Sequence, residues 1–379
     1  MQERVKRLGW ALGMLAFFVP WTSHAVISVG HIAPLSGPVA AVDGQSYNLG
    51  IRVAIEALNA RGGVQGNKIK LKTLDDEYKP DRTVELIRAE AGKDTVALLL
   101  PVGSAALAKV LKEKVLEDVK IPVVGLIPGS EPLRNPINPY LYHVRAGDLD
   151  QYRRIIEHIL TVGMKRVAVV YADIPFGKSG MAAVESLLKG HGAQSATGVP
   201  FALGAKIDFK ESLEKLRQSA PDVVILVSPP EPAGRFVQEY RSAALAAPIM
   251  TLSYGSSDTI CAVAGEDKAY GVAVAQVFPN SGSPTIPLSR RFREDFQRFA
   301  PPNTTPTQLH YEGYITTLVL AEGLKRAGAP VTREKLVKAL DSLKDVDLGG
   351  FVVDFSPARH TGSRFVDIGI ISKNCRLVF

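Results

Sequence analysis

Cysteine is nearly absent from this chain, with only Cys261 and Cys375 among 379 residues. A disulfide-built scaffold and a thiolate metal site both need several cysteines at close spacing, so both are excluded. The two that exist can pair in an oxidising compartment, but a sequence separation of 114 says nothing about whether their Cβ atoms meet, and pairing stays open. The fold must rest mainly on its core. Charge of one sign is also lacking: 45 Lys and Arg stand against 38 Asp and Glu, a formal +7. The basic residues are interspersed with acids, as along Ala105 to Asp118, so no stripe exists that would track a phosphate backbone. Nucleic acid is not an expected partner.

Long apolar runs are missing too, except near the start. Arg4, Lys6 and Arg7 precede the apolar stretch Leu8 to Val19, and Ser23, His24 and Ala25 supply a small-residue end. This is the pattern of a cleavable secretory signal over residues 1–25, too short in its apolar part for a spanning helix. A lipid anchor would need Cys at the cleavage point, where Val26 stands. The expected product is therefore a free periplasmic protein. Losing three basic residues and one acidic residue lowers the formal charge by 2, to +5.

Catalytic signatures fail one after another. Gly177-Lys178-Ser179 ends like a phosphate-binding loop, but the Gly required five residues earlier is Ala172. The seven histidines, His31, His143 and His360 among them, form no i, i+4 pair around a Glu. Asp75-Asp76-Glu77 reads as a solvated acidic strand end, and no Gly-x-Ser-x-Gly elbow occurs. No catalytic residue, metal or cofactor is expected. The competing class, an exported hydrolase on a two-lobed scaffold, has no motif behind it.

What is present is winding. Ile27 to Ala33, Ile69 to Leu74, Thr95 to Leu100 and Ile121 to Leu126 are short apolar runs that alternate with amphipathic stretches at Gly44 to Arg61, Arg82 to Ala91 and Ser104 to Val119. Repeated βα units imply a parallel sheet covered by helices. After a Pro-rich passage, Pro132 to Pro139, the rhythm restarts with Leu141 to Val144 and runs on to Val277. Helical patterns at Leu288 to Phe299, Gln308 to Ala327 and Arg333 to Leu340 follow, then strands at Phe351 to Phe355 and Arg364 to Ile371. About 350 residues exceed what one core usually serves, so two lobes are expected.

Ala33 to Pro38, Leu58 to Val64, Asp75-Asp76, Ile121 to Val124, Pro139 to Arg145, Val170 to Gly177 and Leu348 to Phe351 resemble, in order, the leucine/isoleucine/valine-binding protein family. These are type I periplasmic receptors of ABC importers. The resemblance implies an α/β fold of two Rossmann-like lobes, a Venus-flytrap, joined by three hinge crossings near Val144, Val277 and Phe351. The first lobe would take 26–145 plus 278–350, and the second 146–277 plus 351–379. A monomer is implied that captures an amino-acid-like or carboxylate ligand and hands it to a membrane permease. A sensor of the same fold, feeding a chemoreceptor or sensor kinase, is the alternative.

For the site, the resemblance implies that Gly103 and Ser104 take a ligand carboxylate at a helix start, where backbone N–H groups favour anions. Ser104 as a plain helix cap is the competing reading. Ser130 in the next loop would add a hydroxyl, and Phe176 and Tyr254 would face the ligand. Branched-chain amino acid binders hold the ligand ammonium with an acid that aligns near Ser253, and they use a Tyr near Pro229-Pro230. Both groups are missing here. Either Glu231 or Asp258 substitutes, or the ligand has no amino group, because a buried ammonium needs a carboxylate partner.

Overall fold

The computed structural model describes residues 26–37, 40–99, 102–204 and 207–379. The expected signal, 1–25, lies outside them. Five parallel strands form the first sheet: β1 (Val26–Ala33), β2 (Lys68–Asp75), β3 (Ala97–Leu99), β4 (Val123–Val124) and β5 (Leu141–Tyr142), in the order β2-β1-β3-β4-β5. The second sheet repeats that order with β6 (Val167–Ala172), β7 (Thr197–Phe201), β8 (Val223–Val227), β9 (Ile249–Thr251) and β10 (Ala273–Gln276). After the small ribbon of β11 (Val346–Asp347) and β12 (Val352–Val353), strands β13 (Asp367–Ile371) and β14 (Leu377–Val378) extend the second sheet antiparallel.

Both sheets are covered on two faces, which is why their strands read as unbroken apolar runs rather than as alternation. Successive residues still point to opposite sides. Leu98 and Val123 pack in one core, while Ala97, Leu99 and Val124 pack in another. In the second sheet Ala168, Val170 and Leu226 face one core, and Val169, Ile225 and Val227 the other. In each lobe the order 2-1-3-4-5 places a topological switch between the first and third strands, where crevices open at the carboxyl ends.

The long helices Ala41–Ala60 and Gln308–Ala327 pack closely over the first sheet. A Cβ on Gly50 would lie 2.0 Å from the His310 carbonyl oxygen, and one on Gly313 would lie 2.3 Å from that of Tyr47. Only glycine lets the two backbones approach this far. The approach buries the second helix from His310 to Ala321, including the charged Glu312.

Three details differ from the sequence reading. The expected helix Ser104 to Val119 is two, Ser104–Lys112 and Val115–Val119, because Lys114 adopts left-handed backbone (φ 52°) between them. Strand β7 was not expected: Gly198 and Pro200 suppress the signal, and the strand is tolerated because it lies at the sheet edge. The third crossing lies beyond Phe351. Phe351, Val353 and Phe355 pack in a core of the first lobe, so the chain passes over only between Phe355 and β13. There it runs beside the first crossing, with a bridge between His143 and Thr361.

Cys261 and Cys375 form a disulfide that ties the helix Ser257–Ala264 to the turn between β13 and β14. Among the described residues no helix is long and apolar enough to cross a membrane, and no group of three His, Cys, Asp or Glu is placed to hold a metal.

Candidate functional site

Where the first crossing leaves β5, the chain carries Arg145 into the space between the lobes. Its side chain is only 2% exposed. One guanidinium nitrogen lies 3.4 Å from both carboxylate oxygens of Glu312, which the glycine-packed helix brings in from the first lobe. The other donates to the hydroxyl of Ser253, in the loop after β9 of the second lobe. The guanidinium also sits 5.0 Å from the centre of the Tyr254 ring, a cation–π contact. Arg145 thus touches groups from both lobes at once.

Tyr254 extends the network. Its hydroxyl proton goes to Asp148 Oδ1 at 2.6 Å, with the Ile127 carbonyl oxygen 3.1 Å away. Its ring meets Phe176 edge-on at 5.4 Å, an arrangement that aromatic quadrupoles favour. Gly129, just before Ser130, packs so tightly here that a Cβ would fall 2.2 Å from Asp148 Oδ1 and 2.8 Å from the Tyr254 hydroxyl. Behind Ser253, Gln151 accepts from its backbone N–H at 2.9 Å.

Burial sets the electrostatics. It pushes the carboxyls of Glu312 and Asp148 above their usual range, with Arg145 and Arg134 opposing the rise. Burial works against the charge of Arg145, but Glu312, Tyr254 and Asp148 outweigh it and raise its pKa. The polar atoms left unpaired in this region are Arg145 Nε, Gln151 Nε2 and the Tyr152 hydroxyl. All three can donate; Glu312 meets Arg145 through both oxygens, and Asp148 accepts from Tyr254 through Oδ1.

Of the expected residues, Phe176, Ser253 and Tyr254 come together, and the loop of Ser130 joins them through Gly129. Gly103 and Ser104 stand at the first switch point, beside Tyr78, whose ring would lie 3.6 Å from a Cβ on Gly103. Among the described residues no hydrogen bond or ring contact joins them to the Arg145 network. Ser104 is not the cap of its helix: Gly103 occupies that position and Ser104 is exposed on the first turn without a capping bond. Among the described residues neither Glu231, exposed and paired with Arg235, nor Asp258, exposed on the first turn of its helix, has a hydrogen bond to the Arg145 network.

Sequence reasoning missed Arg145, Asp148 and Glu312. A signal existed for one of them, since Arg145 directly follows a buried strand at an expected crossing, where a charge is out of place without a function.

Two wound lobes, three crossings and a polar network spanning the space between them define the type I binding-protein architecture. The family model described as periplasmic binding protein matches residues 26–374. The chain therefore belongs to the periplasmic binding protein family. A Leu/Ile/Val-binding protein, BraC3, from Rhizobium johnstonii is 25% identical over 86% of both chains. An extracellular ligand-binding receptor from Verminephrobacter eiseniae superposes with a TM-score of 0.85 at 31% identity, covering 94% of this chain and all of that one. A substrate-binding periplasmic protein from Ralstonia solanacearum gives 0.84 and 32%, covering 93% of this chain and 99% of the other.

Proposed function

We propose that this protein is the periplasmic receptor of an ABC-type importer and captures a small carboxylate ligand without a free amino group between its lobes. The observation that carries the reading is Arg145, a buried cation touching both lobes, with unpaired buried donors around it. A ligand carboxylate supplies the acceptors that Arg145 Nε and Gln151 Nε2 lack, and an apolar body fits against Phe176 and Tyr254. An ammonium would have to share Glu312 with Arg145, or Asp148 with Tyr254. Closure follows from the same geometry, since a ligand bridging groups of both lobes binds the closed state better than the open one. The protein's work is binding and delivery to a membrane permease, not turnover.

A thermal-shift panel of amino acids, aromatic acids, dicarboxylates and amides tests this. One carboxylate class should stabilise, by about 2.7 kcal/mol at a hundred times Kd. Branched-chain amino acids giving the largest shift would show that the ammonium is accommodated after all. If the ligand also reaches the first switch point, Ser104→Trp should abolish the shift while leaving the unliganded melting point nearly unchanged. An equal shift in both proteins removes Ser104 from the site.

A further inference from the structure

A cavity of about 230 Å³ lies against the hinge, beside the Arg145 network, whose main chain Arg134 bonds. Its walls come from the segment before β5, from the first turns of the helix Asp148–Thr161, and from the third crossing at 358–364. Arg134, Arg153, Arg359 and Arg364 line it against two acids, Glu131 and Asp150, which leaves a formal surplus of two positive charges with histidine neutral. Asp150 is paired with Arg153 at 2.9 Å, and Arg359 is paired with Asp354 outside the cavity. Arg364 has no ion-pair partner among the described residues and is exposed.

Two of the lining side chains are buried and incompletely bonded. Arg134 is 6% exposed and spends its outer nitrogens on the carbonyls of Arg145 and Ala146 and on the Thr361 hydroxyl, at 3.1, 3.5 and 3.3 Å, yet its Nε has no partner. His143, 2% exposed, has no partner at Nδ1. A buried donor without an acceptor costs free energy, and a native protein keeps one chiefly where something else satisfies it. His360, on the same wall, is different: its ring nitrogens already meet Asp341 and the carbonyls of Asn138 and Leu141.

We propose that this hinge cavity is a second ligand site, which takes a small oxyanion of the phosphate or carboxylate type through Arg134, His143 and Arg364. With Arg153 and Arg359 already paired, Arg134 and Arg364 against Glu131 leave a surplus of one positive charge, which suits an oxyanion, and the unpaired Arg134 Nε adds a directed donor in the wall. This site does not depend on the nature of the ligand between the lobes.

The test is titration calorimetry of the mature protein with inorganic phosphate and, separately, with succinate, each against chloride at matched ionic strength. One anion should bind saturably at one site, and the tighter of the two identifies the chemistry. Arg364→Gln, an exposed change outside the Arg145 network, should raise the Kd of that anion by about fivefold or more, as loss of one charge-assisted hydrogen bond implies. The same anion should bind Arg145→Lys with unchanged affinity, which separates this site from the one between the lobes. No saturable binding beyond chloride, an equal Kd in Arg364→Gln, or loss of binding in Arg145→Lys overturns the proposal.

Discussion

Replacing Arg145 with Met should destabilise the unliganded protein by about 3–5 kcal/mol and abolish ligand binding. The stability loss comes less from the missing ion pair than from what remains. Glu312 is only 4% exposed, and without Arg145 its charge is left in an apolar surround that already raises its pKa. The double variant Arg145→Met with Glu312→Leu should recover most of that loss, because replacing both members of a buried pair by apolar groups is often neutral. Binding should not return with stability, since the donors are gone. Denaturant unfolding of the three proteins reads the effect. A loss below about 1 kcal/mol in the single variant, the value of an exposed pair, would mean that Arg145 and Glu312 are solvated.

Removing the disulfide, by Cys261→Ser with Cys375→Ser, should cost about 2–4 kcal/mol. The bridge closes a loop with a sequence separation of 114, and long loops gain most in the chain-entropy account. Its local effect is as informative. Strand β14 has two residues and pairs only with β13, so the bridge to the helix Ser257–Ala264 is its main tether. Hydrogen exchange in the double variant should therefore rise first at Leu377–Val378 and in β13, with the first lobe unaffected. Uniform loss of protection across both lobes would contradict this assignment of the bridge to second-lobe stability.

The winding was legible in the sequence because a parallel sheet buried on both faces turns each strand into an apolar run, as in Val223–Val227 and Val167–Ala172. Elements that break that rule were lost. Strand β7 carries Pro200, and the helix Ser257–Ala264 is short and ends at Gly265. The misplaced third crossing has a related cause: Phe351 to Phe355 reads as a lobe-joining strand, yet nothing in an apolar run says which core it enters. Phe176, Ser253 and Tyr254 entered through the resemblance to the leucine/isoleucine/valine-binding family, and the fold brings the three together. The charged half of the site was not legible. Arg145 meets Glu312 across 167 positions, and Tyr254 meets Asp148 across 106, so only the closed arrangement of helices and crossings gives these residues partners. Asp148 taken alone is indistinguishable from an ordinary acid in the first turn of a helix.

The most direct measurement is a calorimetric titration of the carboxylic acid that gives the largest thermal shift, set against its own carboxamide. The two molecules share an apolar body and differ in the charge presented to Arg145. The acid should bind more tightly by at least about 30-fold, corresponding to roughly 2 kcal/mol for a buried charge-assisted contact. Equal affinity for acid and amide would contradict the account, because it would mean that Arg145 does not hold the ligand.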